Sequence, residues 1–66
     1  RANALCPAGV YNGQNEEFLQ KLTNLIPMGR MAGVEEYKST ILYLISEASS
    51  YMTGSTVIVD GGRTCW

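Results

Sequence analysis

The most regular hydrophobic pattern in this chain extends from residue 34 to residue 46. Apolar residues recur there at intervals of three and four, while Glu35, Glu36 and Lys38 lie between them. This spacing is that of one face of an α-helix, and glutamates in the first turn suit the positive end of the helix dipole. The pattern therefore predicts a helix over about 34–46. Its apolar stripe consists of Val34, Tyr37, Ile41, Leu44, Ile45 and Ala48.

A second helical pattern lies nearer the N-terminus. Asn15 is a favourable N-cap residue, and Glu16 and Glu17 are favourably placed in the first turn of a helix. Pro27 ends the pattern, because the residue before a proline avoids the helical conformation. The sequence therefore predicts a helix over about 15–25. Its apolar residues are Phe18, Leu19, Leu22, Leu25 and Ile26.

Two short apolar runs enclose these helices. Residues 2–6, ANALC, end at Pro7, which has no N–H to offer to a sheet. Residues 56–60, TVIVD, are rich in β-branched side chains and stop at Gly61 and Gly62. Because the second run does not alternate between apolar and polar residues, it is typical of a strand covered on both faces, as in parallel sheets.

The order of the elements is strand, helix, helix, strand, which predicts an α/β fold. Two parallel strands joined by a helical crossover form a right-handed unit. A sheet of only two strands leaves an edge of unpaired N–H and C=O groups. A chain as short as 66 residues also buries only about 60% of the surface that its unfolded form exposes. The pattern is therefore that of one piece of a larger sheet.

Charge and composition argue against several classes of function. The five Lys and Arg and the six Asp and Glu are scattered without runs, which is unlike a nucleic-acid-binding stripe or a polybasic membrane patch. No apolar stretch approaches the roughly 20 residues of a membrane helix. The chain has no histidine and no CxxC pair, so no metal site is expected. Cys6 and Cys65 are expected to be free thiols in a reducing cytoplasm.

Several motifs, taken in their order, resemble the C-terminal part of a short-chain dehydrogenase/reductase. Each motif is short, but together they extend over nearly the whole chain. The tail further resembles reductases of surface-polysaccharide or flagellin-glycan synthesis. The motifs are NALCPAGV at 3–10, PMGR at 27–30, the glutamate-bearing helix that follows, SEASSYMTG at 46–54 and VIVDGG at 57–62.

The resemblance implies both a fold and a function. It implies that the chain is the C-terminal strand-helix-helix-strand piece of a Rossmann-type, doubly wound parallel sheet. The parent enzyme is then expected to be a cytoplasmic homo-oligomer that acts on a small-molecule substrate with NAD or NADP as its cofactor. The chain looks cut from such a parent, because it starts at Arg1 and RANALCP lacks the layout of a signal peptide.

The resemblance also assigns cofactor contacts to the loop after the first strand. Pro7 matches the family's proline in this loop, and Gly9 belongs to the same loop. Val10 matches an aliphatic residue whose backbone meets the nicotinamide carboxamide. Asn12 stands at a position that is often threonine and that touches the cofactor phosphates. The chain departs from the family pattern at Asn12 and at Ala8, where the family usually has glycine.

Other positions are implied to surround the substrate or to meet another subunit. Met28 and Met31 either line the substrate pocket or fill gaps in the core. Residues 63–66, RTCW, are either a subunit contact or a frayed tail. Three residues of the first helix are implied to lie on a mobile lid over the substrate: Phe18, Leu19 and Leu22.

Two polar groups have a local interpretation from the residues themselves. Arg30 is expected to form an ion pair with Glu35 or Glu36, which would join the lid segment to the following helix; the alternative is a solvated pair. Asp60 precedes two glycines, so its carboxylate is expected to accept backbone N–H groups in a turn rather than to bind a ligand.

No catalytic residue is assigned within this chain. The family's proton-transferring pair is Tyr-x-x-x-Lys, and none of the four tyrosines has a lysine four residues later. No glycine-rich turn leads from a strand into a helix, as binding of the cofactor pyrophosphate requires. We therefore expect the segment alone to be inactive and not to bind the cofactor tightly. The tyrosines are Tyr11, Tyr37, Tyr43 and Tyr51.

Two further interpretations stay open. The chain could be a small non-catalytic interaction module, or a remnant, that associates through an exposed strand edge. It could also be a secreted domain with a single disulfide between Cys6 and Cys65, which predicts that reduction changes its fold.

Overall fold

The two predicted strands form a parallel pair. The computed structural model describes residues 1–65, and its sheet consists of β1 (Ala4–Pro7) and β2 (Thr56–Val59). Ala4 pairs with Thr56 and Pro7 with Val59. The predicted α/β arrangement is confirmed, but β1 begins and ends later than predicted and includes Pro7. A proline can end a strand because no N–H is required of it there.

The first helix, α1 (Glu16–Thr23), is capped by the predicted residue. Asn15 Oδ1 accepts the backbone N–H of Phe18 at 2.8 Å. The helix ends two residues before the predicted boundary. Leu25 and Ile26 instead lie in the turn that follows, where their N–H groups bond to carbonyls three residues back. This turn carries Ile26 into the core.

The second helical region is divided where the sequence predicts one helix. A 3₁₀ turn (Val34–Tyr37) leads into α2 (Lys38–Ile45). A 3₁₀ turn is a frequent start to an α-helix, and Tyr37 anchors this one through its hydroxyl, which donates to the Val59 carbonyl at 3.0 Å. A further 3₁₀ turn (Glu47–Ser49) leads towards β2.

The burial of this region also differs from the predicted stripe. Tyr37 is buried, but Val34, Ile41 and Ile45 of the same stripe are exposed. In β2, Ile58 is 55% exposed while its neighbours Val57 and Val59 are half-buried. Within residues 1–65 the expected covering of both strand faces is therefore absent, because no described element packs on the side of Ile58.

The small core lies beside the carboxyl ends of the strands. Its buried apolar residues are Ile26, Met31 and Tyr37, all from the connection between the two helices or from the turn that opens the second. At the other end of the sheet, the Arg1 guanidinium donates to the Ser49 carbonyl at 2.7 Å and to the Met52 carbonyl at 3.1 Å. These bonds join the start of the chain to the turn before β2.

Two observations concern membranes and thiols. Among residues 1–65, no helix combines the length and the apolar character that crossing a membrane requires. Cys6 and Cys65 are exposed and are not joined to each other.

Candidate functional site

The carboxyl ends of both strands meet at one edge of the sheet, where Pro7 lies opposite Val59. Residues 8–13 follow the first strand, and residues 60–62 follow the second. In open parallel sheets, ligands bind beyond the carboxyl ends of the strands. The carboxyl end of the sheet is therefore the candidate site. The four predicted cofactor residues lie there, at the end of β1 and in the loop that follows it.

A parallel bridge between Val10 and Ala32 holds the loop after β1. The N–H of Tyr11 donates to the Ala32 carbonyl at 2.8 Å, and the N–H of Ala32 donates to the Gly9 carbonyl at 2.9 Å. Because the backbone groups of successive extended residues point to opposite sides, the N–H and C=O of Val10 itself point away from Ala32. Val10 thus offers one donor and one acceptor side by side.

Gly9 brings the loop close to its neighbours. A Cβ at this position would lie 3.0 Å from Leu22 Cδ2 and 3.3 Å from Met31 Cε. The missing side chain therefore lets the loop lie against α1 and the core methionine. The sequence alone gave no reason why a glycine is favoured here, since the close neighbours come from two distant segments.

The residues around Asn12 form a tight turn, and a side chain that the sequence analysis did not single out closes it. The side chain of Gln14 accepts the Asn12 N–H at 2.8 Å through Oε1 and donates through Nε2 to the Val10 carbonyl at 3.2 Å. Gly13 permits the turn with a φ of 72°. The signal in the sequence was the string NGQN, which marks a turn but not the direction of the Gln14 side chain.

The remaining loop residues are placed without strain. Pro7 is exposed at the end of β1, and Asn12 is exposed in the turn. Ala8 occupies the position where the family usually has glycine, yet no residue other than glycine has a positive φ in the described chain. An alanine is therefore compatible with the backbone at this position.

The turn after β2 is organised by Asp60, as predicted. Its Oδ1 accepts the Gly62 N–H and its Oδ2 accepts the Thr64 N–H, each at 2.9 Å. Hydrogen bonds from the side chain and backbone of Thr64 are the main cause that lowers the pKa of Asp60. Gly61 has a φ of 65° and its carbonyl accepts the Met28 N–H at 3.0 Å. The Asp60 carboxylate is therefore engaged by hydrogen bonds within its own turn.

A cavity of about 210 Å³ lies between the two loops. Gly9, Met28 and Asp60 contribute to its wall. The two methionines that the sequence left ambiguous have different positions: Met28 is 63% exposed and lines the cavity, whereas Met31 is buried in the core.

An ion pair closes one side of this cavity. The Arg30 guanidinium donates to the two carboxylate oxygens of Glu36 at 2.9 and 2.8 Å, and Glu36 Oε2 also accepts the Gly33 N–H at 2.8 Å. The hydrogen bond from Arg30 is the largest cause that lowers the pKa of Glu36 to about 2. The predicted pair is thus formed with Glu36, while Glu35 pairs with Lys38.

The described residues contain no cluster of three or more potential metal ligands. The candidate site is instead a set of backbone groups, with the outward N–H and C=O of Val10 at its centre. Such a set binds a ligand by hydrogen bonds and by shape.

Comparison with known proteins agrees with this geometry. A family model described as Enoyl-(Acyl carrier protein) reductase matches residues 1–64. An NADH-dependent L-xylulose reductase from Ambrosiozyma monospora is 43% identical over 75 aligned positions, which cover 100% of this chain and 27% of that protein. The chain therefore spans about a quarter of the length of such relatives.

Solved structures of similar proteins share the fold. A short-chain type dehydrogenase/reductase from Mycobacterium marinum is 41% identical, with a TM-score of 0.87 over 100% of this chain and 25% of that one. A short-chain dehydrogenase from Leptospira borgpetersenii with bound NAD+ is 33% identical, with a TM-score of 0.92 over 97% of this chain and 25% of that one.

A gluconate 5-dehydrogenase from Burkholderia cenocepacia, in complex with NADP and tartrate, is 30% identical, with a TM-score of 0.90 over 100% of this chain and 28% of that one. The names of these four proteins give no support to the surface-polysaccharide or flagellin-glycan subgroup that the tail resembles. The family match over nearly the whole chain and the shared fold lead to one conclusion: this chain belongs to the family of short-chain dehydrogenases/reductases.

Proposed function

We propose that this chain is the C-terminal segment of an NAD(P)-dependent oxidoreductase, which we call the parent protein. In this proposal the loop 7–13 holds the nicotinamide side of the cofactor, and α1 covers the substrate. The outer face of α2, which consists of the exposed residues Ile41, Leu42 and Ile45, meets other parts of the assembly. Two similar structures contain NADP or NAD, and one relative is named as NADH-dependent. These similarities support the cofactor class.

The observation that carries the proposal is the orientation of the Val10 backbone. The N–H and C=O of Val10 both point away from the Ala32 bridge, because the bridge uses the neighbouring groups of Gly9 and Tyr11. A donor beside an acceptor is complementary to a primary carboxamide, which has both an N–H donor and a carbonyl acceptor. The residues present therefore fit the nicotinamide carboxamide.

The other predicted cofactor residues have compatible positions. Gly9 allows close packing of the loop under α1, and Pro7 fixes the backbone where β1 ends. Asn12 is exposed, and its side-chain amide could donate to a phosphate where related proteins often have a threonine hydroxyl. Bound nicotinamide would supply or accept the hydride, while these residues only hold and orient it.

The lid role of α1 is supported by its contacts with the loop. Leu22 of α1 lies against Gly9, so the helix covers the loop directly. Phe18 of the same helix is 48% exposed, which leaves an apolar surface near the candidate site. A small-molecule substrate held beneath this helix would be shielded from water beside the nicotinamide.

Proton transfer to or from the substrate requires residues outside this segment. None of the four tyrosines belongs to a Tyr-x-x-x-Lys pair, and no described side chain at the site has a free basic group. We therefore assign no catalytic residue here, and we expect the isolated 66-residue chain not to oxidise NAD(P)H above background.

The apolar face of α2 supports a role in assembly. Ile41, Leu42 and Ile45 are exposed in the described chain, and a contiguous apolar patch marks a contact surface. We propose that the parent protein is a homo-oligomer of the cytoplasm, where Cys6 and Cys65 remain free thiols. Residue 66, which the sequence analysis included in the terminal contact, lies outside the described residues.

A direct test measures cofactor affinity in the parent protein by calorimetry. NAD+ and NADP+ are compared with analogues that carry nicotinic acid in place of nicotinamide. The amide donor to the Val10 carbonyl is worth at most about tenfold in affinity, the value of one hydrogen bond, so the nicotinic acid analogues should bind up to about tenfold more weakly. Tighter binding of these analogues would contradict the role of Val10, and no binding of any dinucleotide would overturn the proposed function.

A second test is to determine the coding sequence upstream of the Arg1 codon. We expect it to encode, in frame, a glycine-rich strand-turn-helix and a Tyr-x-x-x-Lys motif. A nearby start codon without these motifs would instead favour the other candidate function, a small module that associates through its strand edge.

The observation that favours this second candidate is the sheet of only two described strands, in which each strand has one outer backbone edge. A self-associating module should melt in one sharp transition at a temperature that rises with concentration. A weakly helical spectrum of the isolated chain, without cooperative melting, would support the oxidoreductase segment.

A further inference from the structure

Gln14 forms hydrogen bonds with the backbone of both residues at the centre of the proposed cofactor loop. Its side-chain Nε2 donates to the Val10 carbonyl at 3.2 Å, and its Oε1 accepts the Asn12 N–H at 2.8 Å. The side chain is half-buried. One amide group thus closes a ring across the loop between two residues that the proposed function assigns to the cofactor.

The chemistry of this contact matches that of the proposed ligand. The side chain of glutamine ends in a primary carboxamide, as nicotinamide does, and each has an NH₂ donor and a carbonyl acceptor. The Val10 carbonyl, which points outward from the Ala32 bridge, already receives such a donor from Gln14. Gln14 therefore already donates a hydrogen bond to the carbonyl that the nicotinamide carboxamide requires.

We propose, on the basis of the function proposed above, that Gln14 competes with the nicotinamide carboxamide for the Val10 carbonyl and so lowers cofactor affinity. Cofactor binding displaces the Gln14 side chain. The same displacement frees the Asn12 N–H, which then faces the cofactor instead of Gln14. Gln14 is thus a residue that sets affinity and does not take part in the chemistry.

The turn has room for this displacement. Gly13 lies between Asn12 and Gln14 at a φ of 72°, and a side chain built on Gly13 would meet no atom within 4 Å. No packing therefore holds the turn from that side. Each bond that Gln14 gives up changes a binding constant by only about tenfold or less in net terms, so a bound dinucleotide can replace them.

The test uses Gln14→Met in the parent protein, which keeps the length of the side chain and removes both of its hydrogen bonds. The matched control is Gln20→Met. Gln20 is exposed on α1, and helical geometry places it on the opposite side from Phe18, Leu19 and Leu22. The dissociation constants of NAD+ and NADP+ are measured by calorimetry, together with those of the nicotinic acid analogues.

We expect Gln14→Met to lower the dissociation constant of the preferred cofactor about threefold to tenfold, because binding no longer has to break the bond to Val10. The analogue that lacks the amide donor does not need this carbonyl, so its dissociation constant should change less than about twofold. The control variant should bind both dinucleotides as the parent does.

The outcomes separate this proposal from the function on which it rests. A parent protein that binds no dinucleotide would overturn both. Weaker or unchanged cofactor binding by Gln14→Met would overturn the competition alone and leave the cofactor site in place. A loop brace without competition predicts that Gln14→Met loses thermal stability and cofactor affinity together, whereas competition predicts lower stability without cofactor but tighter binding.

Discussion

The carboxyl ends of the strands and the outer face of α2 differ in how many of their apolar and polar side chains have a partner. At the strand ends, the buried residues Ile26, Met31 and Tyr37 meet, and the carboxylates of Asp60 and Glu36 accept backbone N–H groups. α2 is rich in apolar residues, yet none of its residues is buried. An apolar helix is therefore left without a buried residue in the described chain.

This difference shows which contacts the segment makes by itself. Caps are completed by residues close in sequence, and the loops at the carboxyl ends of the strands are completed by backbone bonds to the connection between the two helices. The apolar face of α2 needs a partner surface of its own size, and no other described element provides one. The chain spans about a quarter of the length of its relatives, so we expect other parts of the parent protein to cover this face.

The largest effect is expected on the open face. Ile45 is 73% exposed in the described chain, but Ile45→Ala should lower the free energy of unfolding of the parent protein by about 2 to 5 kcal/mol, as at a buried position. Urea unfolding measures this change. The control Glu47→Ala, at an exposed charged residue, should change it by less than about 0.5 kcal/mol. An equally small effect of Ile45→Ala would mean that the face stays in contact with water.

The next effect is expected at the turn after β2. Gly62 has a φ of 92°, and a Cβ there would lie 2.8 Å from Pro27 Cγ. Gly62→Ala should therefore cost about 1 to 3 kcal/mol of stability from backbone strain alone. Gly33→Ala is the matched control, because Gly33 has a φ of −81° and open space around it. Equal losses from both variants would show that the positive φ of Gly62 and its contact with Pro27 are not the cause.

A smaller effect should come from the anchor between the helical region and β2. Tyr37→Phe removes the hydrogen bond to the Val59 carbonyl, which measures 3.0 Å, and should lower the free energy of unfolding by about 0.5 to 1.5 kcal/mol. Tyr51→Phe is the control, since Tyr51 is fully exposed. If the two variants melt alike, the Tyr37 hydroxyl does not contribute to holding the 3₁₀ turn.

The smallest effect depends on pH. Glu36 has its pKa lowered from the usual 4.5 to about 2, first by the hydrogen bond from Arg30. A carboxylate with a lowered pKa stabilises the fold above its unfolded pKa, and this contribution is lost as the pH falls towards the folded value. Glu36→Gln should therefore flatten the dependence of the melting temperature on pH between about 4.5 and 2.

A control for this pH effect is Glu17→Gln. Glu17 pairs with Lys21 at 3.4 Å on the exposed surface of α1, and exposed pairs contribute little. The slope of melting temperature against pH should stay unchanged in this variant. The same loss of slope in both variants would assign the acid sensitivity to general charge rather than to the bidentate pair with Arg30.

Local rules made several features predictable from the sequence. The Asn15 cap and the Asp60 turn follow from side chains that bond to backbone only a few residues away. The β-branched run of β2 indicated a strand, and its lack of alternation indicated a parallel partner. Family resemblance then supplied the identity of the cofactor loop, including Pro7, Gly9, Val10 and Asn12, as a prediction that binding measurements can test.

Other features depend on contacts between distant residues. The helix expected over 34–46 is divided at Tyr37, whose hydroxyl bonds to a strand 22 residues away. The orientation of the Val10 backbone results from its bridge to Ala32, and the need for Gly9 results from Leu22 and Met31. The direction of the Gln14 side chain likewise depends on how its turn is held.

The sequence by itself thus determined the order of the strands and helices, the Asn15 cap and the Asp60 turn, because each is a matter of a few neighbouring dihedral angles and hydrogen bonds. Only the tertiary structure decided which backbone groups of the loop face outward and which apolar residues are buried. Those outcomes depend on the packing of segments that are far apart in sequence, and the periodicity of one segment holds no information about the surface it will meet.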